Sequence, residues 1–285
     1  MMKILETAGF ILIAALWGGS FLFMRIAAPV LGPIWLIEIR VLLAGLSLLP
    51  VLIKLNLFSE LRRHWKHLFV VGCLNSAIPF SLYAFASLFL PAGFTAILNA
   101  TTPLFGVIIA LIWLKEKLTI YRIIGLILGF IGVTLLVGWQ SLQGDLVILI
   151  AVFAGISAAL MYAIAAPYVK LKLSGVPSLV ITTGSLLSAA VFLLPFLPFT
   201  IPQNQVTFQA IIAVISLALF STALAYILFY RIIQKIGSTR ALTVAYLVPI
   251  FAMTWGAIFL QEAITISMVL SCGLILVGTA IANRS

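Results

Sequence analysis

Apolar runs long enough to cross a lipid bilayer follow one another along the whole chain, near residues 8–28, 33–54, 67–89, 93–114, 120–139, 146–168, 177–199, 208–231, 239–260 and 265–282. About 20 apolar residues in a helix cover the hydrocarbon layer. No water serves backbone amides there, so each run must bond its own peptide groups, as a helix does. The alternating pattern of barrel strands is absent. Connections are short, and most carry Pro, Gly, Asn or charge, as at Pro29 to Pro33, Pro91, Gln140 to Asp145 and Pro198 to Asn204. No stretch is long or polar enough for a soluble domain. The first run, Ala8 to Met24 behind Lys3, exceeds the roughly 7–15 residues of a secretory signal core and reads as a first span.

The charge balance agrees. Only 8% of residues are charged and mean hydropathy is +1.31, whereas a soluble domain carries about 25% charged residues. A net charge of +10 invites a nucleic-acid reading. Its distribution excludes one, because the basic residues sit in short loops between apolar runs. Of the 16 Lys and Arg, only Arg25 and Arg40 lie well inside runs. Counted loop by loop, all the others, from Lys3 and Lys54 through Lys170 and Arg231 to Arg284, fall on one side. The other side carries Asp145 and Glu262 and no cation. The asymmetry places both termini in the cytoplasm and requires an even number of spans.

An internal echo adds an architecture. Pro103, Glu116 and Thr119 return as Pro249, Glu262 and Thr265, each 146 residues later. Leu82, Ala77 and Gly132 return as Leu228, Ala223 and Gly278. Five spans separate the copies, so the second copy is upside down relative to the first, as in transporters made of inverted halves. The expected fold is all-α, with ten transmembrane helices as two inverted five-helix repeats, residues 1–142 and 143–285, around a central cavity.

Trp17-Gly18-Gly19-Ser20-Phe21 in the first span, Arg40 in the second, and Pro103, Glu116, Leu118, Thr119, Gly125, Gly129 and Gly132 further on resemble the EamA family of the drug/metabolite transporter superfamily. The resemblance covers nearly the whole chain as two tandem units. The second unit is more divergent, with Ser271 and Ile275 in place of the first two of those glycines. The resemblance implies a multi-pass protein of the bacterial inner membrane that exports a solute, or in some members takes one up. It names no cargo.

Arg25, Glu38 and Arg40 are the charged side chains well inside spans, where each must face protein or water. Arg25 and Glu38 stand at similar depth beside the Pro29–Pro33 turn and are expected to form a salt bridge. Alternatives are proton coupling at Glu38 and snorkelling to the headgroups. Arg40 lies about 200° round the helix from Glu38 and cannot share its face. It holds a substrate anion, bonds helix-end carbonyls or gates the outer mouth. Glu116 and Glu262 read as capping and hairpin-turn residues beside the N-cap threonines Thr119 and Thr265, with gating as the alternative. Pro103 and Pro249 are hinge candidates, since proline inside a helix frees a carbonyl and bends it.

Polar and aromatic residues near midspan are the cavity candidates: Trp17, Ser20, Tyr83, Asn99, Tyr162, Tyr226 and Tyr246, with Asn75, Thr101, Thr102 and Tyr230 beside them. By the resemblance, spans 1, 3, 4, 6, 8 and 9 line the cavity. Asn99 either binds substrate or makes an interhelical hydrogen bond. Gly125 and Gly129 mark either packing of the fifth span on the tenth or a homodimer face.

The functional reading is a secondary transporter moving a small metabolite or amino acid by alternating access. A passive pore and an uptake permease are the alternatives. An intramembrane enzyme would need a nucleophile–base pair or metal cluster, and the spans carry no His or Asp. No ATP-binding loop of the GxxxxGK[ST] kind occurs, so energy comes from the cargo gradient, from protons or from a partner. Cys73 and Cys272, and the loop pair His64 and His67, complete no metal shell. No cofactor is expected. The expected partners are the small-molecule cargo and the lipid bilayer, with the protein a monomer or weak homodimer.

Overall fold

The computed structural model describes residues 4–113, 115, 118–141, 146–236, 241 and 243–283, and among them there is no strand. The helices are α1 (Ile4–Leu31), α2 (Pro33–Lys54), α3 (Phe58–Arg63), α4 (Trp65–Gly72), α5 (Ile78–Phe89), α6 (Ala92–Asn99), α7 (Thr102–Trp113), α8 (Ile120–Ser141), α9 (Leu146–Lys172), α10 (Ser178–Leu193), α11 (Phe208–Ala218), α12 (Ala225–Ile236), α13 (Val248–Leu260) and α14 (Ile266–Ala282). Two π segments, Cys73–Ala77 and Leu219–Leu224, join α4 to α5 and α11 to α12. Among the described residues, nine continuous helical stretches are long and apolar enough to cross a membrane. The last expected span, α14, is a 17-residue helix. At 1.5 Å per residue it is about 25 Å long, a little under the hydrocarbon thickness.

Local chemistry sets the boundaries. Pro33 opens α2, where its missing N–H costs no helix bond. Thr119, Thr207 and Thr265 accept hydrogen bonds from Arg122 N, Ala210 N and Met268 N and so cap α8, α11 and α14. Large apolar side chains such as Ile127, Phe153, Ile211, Phe259 and Leu270 are exposed, which suits a lipid surround.

The 146-residue spacing reappears in the backbone. The π segments start at Cys73 and Leu219. The helices α7 and α13 start at Thr102 and Val248. Lys115 and Gln261 both adopt a left-handed conformation, with φ of 53° and 54°. The capping threonines 119 and 265 follow. Bulges and left-handed residues carry little hydropathy signal, so the π segments and the left-handed pair extend the recurrence to positions outside the Pro, Glu and Thr of the sequence echo.

Pro103 and Pro249 occupy the second position of α7 and α13. They follow interruptions rather than bending continuous helices. Between α6 and α7 the carbonyls of Leu98 and Asn99 accept from the hydroxyls of Thr101 (2.6 Å) and Thr102 (2.8 Å), so the break leaves them satisfied.

The main core gathers side chains of α1, α2, α5, α10 and α11. Glycine permits two close backbone approaches. A Cβ on Gly18 would stand 2.6 Å from Phe251 Cβ and 2.9 Å from Ala252 N, so α13 lies directly on α1. A Cβ on Gly125 would run into the Gly278 carbonyl oxygen, and one on Gly278 would come within 2.7 Å of Gly129 N. The glycine stripe of α8 is thus used against α14 within the chain.

Candidate functional site

A cavity of about 970 Å³ lies among α1, α2, α5, α7, α9, the second π segment, α12 and the Thr243–Tyr246 turn. At one end its lining includes Arg122 in the first turn of α8, Lys170 near the end of α9, and Asn283 just past α14. These helix ends belong to the face with the basic loops. The cavity therefore reaches that face and extends from it to Met24, Arg40 and Phe80.

The sequence candidates converge here. Trp17, Ser20 and Arg40 border the cavity from the first two helices, Tyr83 and Asn99 from α5 and α6, and Tyr162, Tyr226 and Tyr246 from the remainder. Asn99 makes the expected interhelical bond, its Oδ1 accepting from the Tyr83 hydroxyl at 3.1 Å, and it also lines the cavity. Pro103 and Thr102 also border the cavity. Thr101 is buried on its Leu98 bond. Glu116 and the Tyr230 side chain lie outside the described residues.

Aromatic rings form most of the walls. Tyr83 and Tyr162 have centroids 6.0 Å apart, and Phe80 meets Tyr162 edge-on at 6.3 Å. Trp17 meets Tyr226 edge-on at 6.1 Å and packs at a tilt of 58° against Phe229 at 4.9 Å. Such contacts fix the ring planes.

Arg40 is 5% exposed. Its Nε donates to Thr222 Oγ1 at 3.0 Å, and its guanidinium carbon sits 3.6 Å from the Phe80 ring centroid. The π segments place both neighbours. A π turn frees a carbonyl from the i−4 ladder, and the Thr222 hydroxyl donates to the one five residues back, Leu217 O, at 2.8 Å. Phe80 follows the first π segment by three residues. Met24, Phe80, Ser221 and Thr222 were not legible as site residues, because apolar side chains and small hydroxyls are ordinary in spans.

The expected Arg25–Glu38 salt bridge is absent. Arg25 Nε pairs instead with Glu262 Oε1 at 3.5 Å, and its Nη1 donates to Ser87 O (2.8 Å) and Leu88 O (2.7 Å). The end of α5 offers carbonyls and the negative pole of a helix beside a carboxylate, a stronger anionic site than one carboxylate across the α1–α2 turn. Glu38 is 4% exposed, and among the described residues neither of its carboxylate oxygens has a hydrogen-bond partner. The N-cap threonines hold as read, but Glu262 does not serve its own helix. Its Oε2 accepts from Ala92 N at 2.9 Å and so caps α6. Arg25, Glu262 and the α5–α6 turn thus form a latch at the end opposite the basic loops, joining α1 and α5–α6 to the α13–α14 connection.

Outside the spans, burial raises the Glu262 carboxyl above its ordinary range, against the downward pull of the Ala92 N–H and Arg25. The histidines expected in a loop stand at the start of α4, His64 as its N-cap residue with Glu60 at 3.4 Å and His67 in its first turn with the Tyr168 hydroxyl at 3.0 Å.

Comparison with known proteins follows the same lines. The model of the EamA-like transporter family matches the chain twice, over residues 6–138 and 149–284. An uncharacterized transporter of Bacillus subtilis strain 168, YoaV, is 25% identical over 273 residues, covering 95% of this chain and 94% of its own. Another from that strain, YvbV, is 28% identical over 269 residues, covering 93% and 87%. Protein PecM of Dickeya dadantii is 25% identical over 254 residues, covering 87% and 82%. A protein crystal structure superposes with a TM-score of 0.69 over 99% of this chain and 98% of its own, at 19% identity, a likeness of fold.

Proposed function

The chain belongs to the EamA-like transporter family and is a multi-pass membrane transporter, and from that premise we propose that it is a secondary transporter exporting a small metabolite or amino acid by alternating access. Two inverted five-helix halves enclose the substrate cavity, with both chain termini in the cytoplasm. The observation that carries this reading is a cavity reaching the basic-loop face while the Arg25–Glu262 latch ties helices together at the other end. The positive-inside rule supports a cytoplasmic open end, and this reading takes the form described as inward-facing. The double family match and the backbone landmarks spaced by 146 residues support the two halves.

Two experiments test it. With Cys73 and Cys272 replaced by serine, Leu118→Cys and Ile264→Cys place thiols at exposed, equivalent turns of the two halves. A membrane-impermeant maleimide is expected to label position 118 only from the cytoplasmic side and position 264 only from the opposite side. Labelling of both from one side removes the inversion. In proteoliposomes screened against a metabolite panel, efflux of the cargo is expected to accelerate when the same compound is present on the far side. A carrier shows this exchange; stepwise single-channel current would point to a pore.

A further inference from the structure

The inner end of the cavity holds a buried positive charge without a counter-charge. Among the described residues Arg40 bonds one neutral hydroxyl, Thr222, through Nε, and its Nη1 has only the Met24 sulfur at 3.9 Å. Among the described residues no carboxylate borders the cavity, and neither ion pair includes Arg40. A guanidinium carries five N–H donors in a planar fork suited to a carboxylate. A charge at this depth is costly unless something pairs with it.

We propose that Arg40 anchors a single carboxylate of the transported molecule and that a flat, apolar or aromatic body lies between the rings of Trp17, Tyr83, Tyr162 and Tyr226. This deepens the transporter reading and rests on it for the word transported; the binding claim stands separately. Charge selects the class. A cation would meet an uncompensated cation. A phosphate dianion would need a second positive charge, and the other cations of the described lining, Arg122 and Lys170, sit at helix ends on the basic-loop face. A free α-ammonium would find no carboxylate to pair with, since among the described residues none borders the cavity. The lining carries the aromatic rings of Trp17, Tyr83, Tyr162 and Tyr226, and rings stack on planar bodies.

The test is binding to the purified full-length protein in detergent, by calorimetry and thermal shift. The probes are phenylacetate, phenylacetamide, phenethylamine, phenylalanine and phenyl phosphate, with an indolyl series alongside. The acid is expected to bind about 10- to 100-fold tighter than its amide, the range for a hydrogen-bonded charged group, and tighter than the amine, amino acid or phosphate. Arg40→Gln is expected to abolish that preference and Arg40→Lys to retain part of it. An amide, amine, amino acid or phosphate that binds as well as the acid overturns the proposal. So does acid preference surviving in a folded Arg40→Gln, or no acid binding in either series. Should Arg40→Gln not fold, the wild-type series decides alone. Acid binding without flux counts against the carrier and leaves this site standing, whereas flux with acid-blind binding does the reverse.

Discussion

Arg25→Ala is expected to open the end of the protein opposite the basic loops, while Glu262→Gln leaves it nearly closed. Arg25 holds the last carbonyls of α5 and the Glu262 carboxylate together. Its removal leaves Glu262, 16% exposed at the side chain, charged and unpaired. Breaking a fully buried pair costs about 3–5 kcal/mol. The Arg25 side chain is 31% exposed, so about 2–3 kcal/mol is the appropriate scale, roughly a 30- to 150-fold change in population. Glutamine can still accept from Ala92 N, and Arg25 keeps its two carbonyls. The readout is a cysteine at Ser87, fully buried beside the carbonyl that Arg25 binds, in the background lacking Cys73 and Cys272. Impermeant maleimide added from that side is expected to react about 30-fold faster or more in Arg25→Ala. Equal rates in the two variants would dismiss the latch.

The same carboxyl sets a pH dependence. Burial raises the proton affinity of Glu262 in the closed form above that of a carboxyl in water. The closed form therefore takes up protons more readily than an open form in which Glu262 is solvated. Acidification through the interval between the ordinary and the raised value favours closure, and the gain disappears as pH rises above the raised value. Labelling at Ser87→Cys is expected to slow toward acid beyond the intrinsic thiol effect, and Glu262→Gln supplies that baseline. Faster labelling in acid would give the linkage the opposite sign.

Gly125→Leu is expected to cost about 3 kcal/mol or more, at the upper end of overpacking. The first carbon of any side chain there meets the Gly278 carbonyl, with Ala282 N at 2.5 Å. Backbone cannot rotate aside as a side chain can. The melting midpoint in detergent is expected to fall by about 10 °C. Gly273→Leu, in the same α14 but with no neighbour within 4 Å, is expected to leave it unchanged or slightly raised. Equal shifts for the two would mean that α8 and α14 separate freely.

The residues that face the cavity were legible for a physical reason. Trp17, Asn99 and the tyrosines are polar or amphipathic in runs whose other members are apolar, and lipid tolerates them only with partners or water. Arg40 stood out on the same ground. Its neighbours did not, because Phe80 and Met24 in an apolar run look like any lipid-facing residue. The Arg25 pairing was misread because adjacency along a hairpin was taken for adjacency in space, and Glu262 arrives from the other half of the chain. Span positions could be read from hydropathy. The interruption at Ala100–Thr101 could not, since threonine hydroxyls satisfy the break without altering the run's polarity.

The two π segments hold a geometric reserve. Each contains one residue more per turn than an α-helix requires. Were a segment to relax into α-helical register, everything beyond it would screw round by about 100° and shift about 1.5 Å along the axis. Phe80 and Tyr83 ride beyond the first, and Tyr226 beyond the second. Paired swivels at matching places can re-aim opposite walls of a ring-lined chamber while the helices carrying them keep their tilt.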